Sequence, residues 1–186
     1  IGGTGSSLGI FRCERDLLSK RPDLVFIEHS VPARRWAYDT IMTDSETIVR
    51  KIYASDPHTD IVYVHTTTKY LSDHIASGGE YTARSAHSAV MHRYGIPQTD
   101  VGEILRSKVT SSGGDWKTLT TDTVHPNDDG YAVYTGASDA SRTSWRGSVM
   151  RWFRERYPDH EIREIQAAIG GTGSSLGIFR CERDLL

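Results

Sequence analysis

The run Asp122-Thr123-Val124-His125-Pro126 places an aspartate three residues before a histidine. At this spacing the carboxylate can fold back and accept a hydrogen bond from the imidazole, which fixes the tautomer and stabilises the imidazolium formed in general-base catalysis. The proline that follows stiffens the turn and can open a helix. Asp122 and His125 are therefore candidate catalytic residues, although an isolated pair of this kind is more often an ordinary loop histidine near a helix cap.

A glycine-rich run, Gly2-Gly3-Thr4-Gly5, precedes a helical pattern. Glycines in such a turn let a ligand approach the backbone closely, and the N-terminus of a helix stabilises a bound phosphate. Glu28 ends the next apolar run, near the distance expected for a ribose-binding acid. A nucleotide-binding domain is therefore an alternative, but the context is against it because no strand precedes this run.

Four further histidines are candidates for ligands or for structural residues. His29 and His65 each end an apolar run and could line one cleft. His87 and His92 are spaced by five and are expected at the surface. No pair of histidines has the HxxxH spacing of a helical metal site, so no metal is expected.

The first 18 residues are repeated letter for letter as residues 169–186. Solenoid repeats have periods of about 20–50 residues, so this is not one of them. A fusion scar, a slice of a tandem array and a circularly permuted domain with overlapping ends would each explain the repeat. Cys13 and Cys181 are the same position twice, so no disulfide is expected between them.

Strand and helix patterns alternate along the chain, which predicts an α/β fold with a mainly parallel sheet and sites at the carboxyl ends of the strands. Ser45 is predicted to cap one helix and Gly95 to end another. The predicted strands are residues 23–28, 60–66, 96–102 and 161–169, and the predicted helices are residues 6–20, 45–55, 83–95, 126–134 and 144–157.

Size and composition are those of one globular domain spanning residues 1–186. Hydrophobic residues make up 37% and charged residues 25%, and the net charge of −2 gives no reason to expect nucleic acid. No apolar run approaches the roughly 20 residues of a membrane span, and no signal peptide is visible, so neither a membrane partner nor secretion is expected. A cytoplasmic location is the resulting expectation.

The run DTVHPNDDGYAVYT resembles the fifth sequence block of the SGNH (GDSL-type) hydrolases. RPDLVFIEHS and HSAVMHRYGIPQTDVG are similar to a bacterial branch that includes carbohydrate-active acetyl esterases, and the resemblance covers nearly the whole chain. It implies a flavodoxin-like three-layer α/β/α sandwich. It also implies hydrolysis of small acyl esters, such as acetyl groups on carbohydrates, without a cofactor.

The same resemblance assigns roles to particular residues. Asp122 and His125 would be the acid and base of a catalytic triad. A glycine of the GGTG run, Gly3 or its copy Gly171, would donate its backbone N–H to the oxyanion. The third block of the family ends in an Asn-Asp pair, but Pro32 stands where the asparagine is expected. One oxyanion donor is thereby lost unless Ser30 or His29 replaces it.

The nucleophile block of the family, an apolar strand followed by Gly-Asp-Ser or Gly-Gly-Ser, is not recognisable. The nearest candidate is the run 132–138, which ends in the small-small-serine turn Gly136-Ala137-Ser138. In one interpretation residues 132–135 replace the missing strand and Ser138 is the nucleophile. In the other, residues 131–135 belong to the helix after His125, and the chain is catalytically weak or inactive.

The sequence blocks stand in a rotated order relative to the family. GASDASRTSWRG (136–147) follows the Asp-His block here, whereas its counterpart in the family lies near the N-terminus. This order predicts a circular permutation, cut within the helix after GGTG, with the old termini joined near Thr135-Gly136. Because the missing strand is central in the family's sheet, we expect a homodimer or a domain-swapped oligomer in which one copy's duplicated end docks into another.

Overall fold

The computed structural model describes residues 5–31, 33, 36–135 and 145–159. These residues divide into two compact units, with the boundary between Gly102 and Glu103. The first unit contains the sheet, and the second contains Asp122 and His125.

The first unit is built on a parallel sheet, which confirms the predicted α/β class. Within the described residues the sheet has three strands in the order β1-β2-β3, and both neighbouring pairs are parallel. Parallel neighbours require crossover connections, which helices supply here. The strands are β1 (Leu24–Ile27), β2 (Asp60–His65) and β3 (Gln98–Asp100). The helices of this unit are α1 (Ser6–Asp16), α2 (Tyr38–Ser55), α3 (Lys69–Ala76) and α4 (Thr82–Arg93).

One face of this sheet carries the main core of the first unit. Successive side chains of a strand point to opposite faces, so Val25 and Ile27 of β1 lie on the same face as Ile61 and Tyr63 of β2. Helices α1, α2 and α4 cover that face with the buried residues Cys13, Ile48, Val49, Ile52, Val90 and Met91. The core therefore holds the carboxyl ends of β1 and β2 in place, and polar residues such as Glu28 and His65 lie at these ends.

The second unit contains a smaller helical core. Helix α5 (Val101–Ser111) follows β3 directly and continues into this unit. A short 3₁₀ helix (Trp116–Thr118), α6 (Asp128–Thr135) and α7 (Trp145–Arg156) follow in this unit, and another short 3₁₀ helix (Leu18–Lys20) follows α1 in the first unit. Leu105, Val109, Trp116 and Val133 are buried together. Residues of this core precede and follow the loop that holds the Asp-His pair.

The predicted strands at residues 23–28, 60–66 and 96–102 are confirmed, with shorter bounds. The prediction that Ser45 caps a helix is wrong because α2 begins at Tyr38. Ser45 instead lies inside α2, is buried and contacts His87 Nδ1 through its hydroxyl at 2.6 Å. Helices α3 and α5 are absent from the sequence-based prediction.

The helix predicted to begin at Pro126 is confirmed as α6, which includes residues 132–135. The interpretation in which residues 132–135 form a strand is therefore wrong. The predicted strand at 161–169 and the second copy of the repeat lie outside the described residues, so the circular permutation stays a prediction. None of the helices in the described parts is both long and apolar enough to cross a membrane.

Candidate active site

Asp122 and His125 form the pair that their spacing predicts. The carboxylate oxygen Oδ2 of Asp122 lies 2.8 Å from His125 Nδ1. The other oxygen, Oδ1, accepts the backbone N–H of His125 at 2.8 Å and that of Val124 at 3.1 Å. The aspartate therefore holds both the ring and the backbone of the histidine.

This arrangement suits general-base catalysis. The three hydrogen bonds lower the pKa of Asp122 to about 2, with the backbone N–H and the ring of His125 as the largest contributions. An ionised carboxylate at Nδ1 leaves Nε2 as the nitrogen that takes a proton from a hydroxyl group. The His125 side chain is 73% exposed, so its ring is open to solvent within this unit.

Backbone contacts close the loop on which the pair lies. The N–H of Thr121 donates to the carbonyl of His125 at 2.9 Å, and Thr120 pairs with Pro126 in an antiparallel bridge. After the loop, Asn127 caps α6, because its Oδ1 accepts the N–H of Gly130 at 3.0 Å. The pair is thus presented at the entrance to a helix.

Gly130 allows this helix to approach the preceding segment. A Cβ atom on Gly130 would lie 2.0 Å from the carbonyl oxygen of Leu119 and 2.9 Å from Pro126 Cβ. Only glycine fits there, and this contact explains why the motif around His125 has a glycine at position 130. An open hollow of about 520 Å³ adjoins the loop and is lined by Thr121, Pro126, Asn127, Asp128, Asp129 and Tyr131.

In the first unit, Glu28 holds the chain just beyond the end of β1. Its Oε1 accepts the hydroxyl of Thr66 at 2.7 Å and the backbone N–H of Ser30 at 2.8 Å. Burial raises the pKa of this carboxyl group. Because protein donors occupy this oxygen, Glu28 serves the local structure of the turn rather than standing open to a ribose.

His65 and the backbone of His29 both contact Tyr63, but they do not line the cleft that their positions at strand ends predicted. The ring centroids of Tyr63 and His65 are 4.7 Å apart, and the N–H of His29 donates to Tyr63 Oη at 3.4 Å. The surroundings are a buried cluster and not an open cleft, since Tyr63 is fully buried and His65 is 4% exposed.

His87 belongs to the same cluster, and its expected surface position is wrong. Its side chain is fully buried on α4 and its ring stacks on Tyr63 with centroids 4.9 Å apart. The sequence contained the signal, because Ala83, His87, Val90 and Met91 share one face at helical spacing. His92 is exposed, as expected.

Burial lowers the pKa values of these imidazoles, and for His87 the neighbouring His29 and His65 lower it further. Desolvation is the largest cause for each: it brings the pKa of His87 to about 3 and that of His29 to about 4. No group of three or more histidine, cysteine, aspartate or glutamate side chains in the described parts of the chain is arranged to hold a metal ion.

The remaining predicted site residues lie outside the residues that the structure describes. These are Gly3, Gly171, Ser138 and Pro32. Of the predicted triad, the structure therefore brings together Asp122 and His125, and the nucleophile and the oxyanion donors stay predictions. Ser30, one of the two candidate substitute donors, is fully buried, and its carbonyl accepts a hydrogen bond from Tyr81 Oη.

Solved structures of esterases and lipases resemble this chain. A two-domain esterase active on acetylated mannans superposes with a TM-score of 0.64 and 26% identity, over 93% of this chain and 41% of that protein. The chain has an α/β fold like that of the SGNH (GDSL-type) hydrolases. It spans less than half of the length of that esterase, which has also been crystallised with mannopentaose.

Two further solved structures share the fold at lower identity. A GDSL-like lipase from Parabacteroides merdae gives a TM-score of 0.58 at 18% identity, over 69% of this chain and 63% of that one. A lipase/acylhydrolase from Enterococcus faecalis gives 0.57 at 15% identity, over 83% and 72%. No protein-family model and no curated protein sequence matches the chain.

Proposed function

We propose that this protein is an ester hydrolase of the SGNH type that removes small acyl groups, acetyl in particular, from carbohydrates or similar alcohols. The observation that carries the proposal is the Asp122–His125 pair, in which Oδ2 and Nδ1 lie 2.8 Å apart. The likeness to an esterase active on acetylated mannans supports the acyl group and the class of alcohol.

In the proposed reaction, Nε2 of His125 accepts the proton of a serine hydroxyl as the serine oxygen attacks the acyl carbonyl carbon. Asp122 remains ionised and stabilises the imidazolium that forms. The backbone N–H of Gly3 or Gly171 donates to the oxyanion of the tetrahedral intermediate. His125 then returns its proton to the departing alcohol, and water releases the carboxylate by the same two steps.

We propose Ser138 as the serine of this reaction. It follows α6 within three residues of Thr135, in the turn Gly136-Ala137-Ser138. Small residues before the serine match the Gly-Asp-Ser or Gly-Gly-Ser pattern of the family's nucleophile block better than any other serine in the chain does.

A second candidate function follows from the helical state of residues 132–135. The family's nucleophile follows a strand, whereas the segment before Ser138 is the last turn of α6. This observation favours a module with the SGNH fold and the Asp-His pair but with impaired or absent catalysis. The two candidates differ in one property, the release of acyl groups.

Acetate release from an acetylated mannan separates the two candidates. The wild-type protein, His125→Ala and the control His92→Ala would be compared, since His92 is an exposed histidine on α4. The hydrolase proposal predicts that His125→Ala lowers kcat/KM by about 10²–10⁴-fold while His92→Ala leaves it unchanged. A folded wild-type protein that releases no acetate from this or a smaller acetyl ester would support the second candidate.

A further inference from the structure

The loop that carries the Asp122–His125 pair lacks the packing that normally fixes a catalytic geometry. The side chain of Asp122 is 54% exposed and that of His125 is 73% exposed. Neither residue is therefore held by a surrounding core in this unit. Their mutual geometry must come from the conformation of the backbone between Thr120 and Pro126.

One residue of that backbone has an unfavourable conformation. Thr123 has a φ angle of +69°, in the left-handed region, where a β-branched side chain is strained. The turn passes through this conformation to point the next two N–H groups, of Val124 and His125, at Asp122 Oδ1. A strained residue in an exposed loop persists only if another contact holds it.

Thr120 supplies that contact. Its side chain is 2% exposed, and Oγ1 donates to the carbonyl of Trp116 at 2.6 Å while it accepts the N–H of Thr123 at 3.2 Å. Trp116 is itself buried in the core of the second unit. One hydroxyl group thus joins the strained residue to the core.

We infer that Thr120 is a positioning residue for the Asp122–His125 pair and acts by holding Thr123 in its left-handed conformation. The catalytic meaning of this inference rests on the proposed function, whereas its geometric content concerns the pair alone. Loss of the hydroxyl releases Thr123, and both the backbone bonds to Asp122 and the bond from the carboxylate to the ring weaken together.

The test compares Thr120→Val, which keeps the shape of the side chain without the hydroxyl, with Thr120→Ser, which keeps the hydroxyl. The readout is the ¹⁵N NMR signature of the His125 ring at a pH where the ring is neutral. In the wild type we expect the proton on Nδ1, since Asp122 accepts it. Thr120→Val should shift the majority of the population to the Nε2–H tautomer, and Thr120→Ser should restore the wild-type pattern.

Thr118→Val is the matched control. The Thr118 hydroxyl donates to the carbonyl of Asp115 at 2.7 Å in the same 3₁₀ turn but does not contact the loop. It should leave the His125 tautomer unchanged. A folded Thr120→Val protein with the wild-type tautomer, or an equal change in Thr118→Val, would overturn the inference.

Amide hydrogen exchange and enzyme kinetics give two further tests of the role of Thr120. If Thr120→Val does not fold, amide hydrogen exchange of the wild type decides: the Thr123 N–H should exchange at least tenfold more slowly than an unstructured amide, and an unprotected Thr123 overturns the inference. In an active enzyme, Thr120→Val should lower kcat at least tenfold with little change in KM. A wild type without activity would refute the proposed function, yet the tautomer would still test the role of Thr120.

Discussion

Acidification from pH 7 to pH 5 should destabilise the first unit through its buried imidazoles. Burial lowers the pKa of His87 to about 3 and that of His29 to about 4, whereas both titrate near 6.5 in the unfolded chain. As the pH falls below 6.5, the unfolded state therefore takes up protons that the folded state refuses. Stability is full above this pH and is lost progressively until the pH reaches the folded-state pKa values.

The size of the loss follows from the pKa differences. Each histidine costs about 1.4 kcal/mol of unfolding free energy per pH unit in this window, so at pH 5 each contributes a loss of about 2 kcal/mol. The loss through either histidine is a substantial part of the roughly 5–15 kcal/mol of a typical domain. Glu28 opposes this trend, because its raised pKa favours the folded state on acidification.

The contribution of one histidine can be isolated by substitution. Urea unfolding of the wild type, His87→Gln and the exposed control His92→Gln would be followed by circular dichroism at pH 7, 6 and 5. His87→Gln should lose about 2 kcal/mol less than the wild type between pH 7 and pH 5, and His92→Gln should match the wild type. An identical pH dependence for His87→Gln and the wild type would refute the assignment of His87 as a buried neutral imidazole.

Three further predictions concern the loop, the triad and the assembly. Gly130→Ala should lower the unfolding free energy by about 3 kcal/mol or more, because its Cβ would overlap the carbonyl of Leu119. Gly5→Ala should cost less, because the nearest atom to its Cβ would lie at 3.4 Å. Equal melting temperatures for the two variants would contradict the close approach of Gly130 to Leu119. Asp122→Asn should lower kcat by about 10²-fold or more in a folded protein, because the pKa of about 2 keeps this carboxylate charged at working pH; an unchanged kcat would remove Asp122 from the mechanism. We also propose that the identical ends exchange between two copies, so light scattering should give twice the mass of one chain, and a strict monomer would contradict the exchange.

Much of the first unit could be predicted from local sequence patterns. The apolar runs at residues 23–28 and 60–66 mark β1 and β2 because strands buried in a parallel sheet are apolar throughout. The Asp122–His125 geometry could be predicted as well, since it depends on three residues of spacing and a following proline.

The errors arose where tertiary burial overrides local signals. Helix α2 carries Asp44 and Ser45 on its buried side, so its first turns lack a clean apolar stripe, and Ser45 looked like a cap. Helix α5 begins at Val101 directly after β3, so no turn separates the strand from the helix. The role of Thr120 depends on a left-handed residue at position 123, which the sequence does not announce because threonine rarely adopts it.

Labelling with a fluorophosphonate probe tests the central claim most directly, because the probe reacts preferentially with a serine that a neighbouring base activates. Intact mass and peptide mapping would be compared for the wild type, His125→Ala and the control His92→Ala. The account predicts one adduct, on Ser138, that is lost in His125→Ala and kept in His92→Ala. A wild-type protein that is folded by circular dichroism and takes up no probe would contradict it, and would leave an SGNH fold with an Asp-His pair that activates no serine.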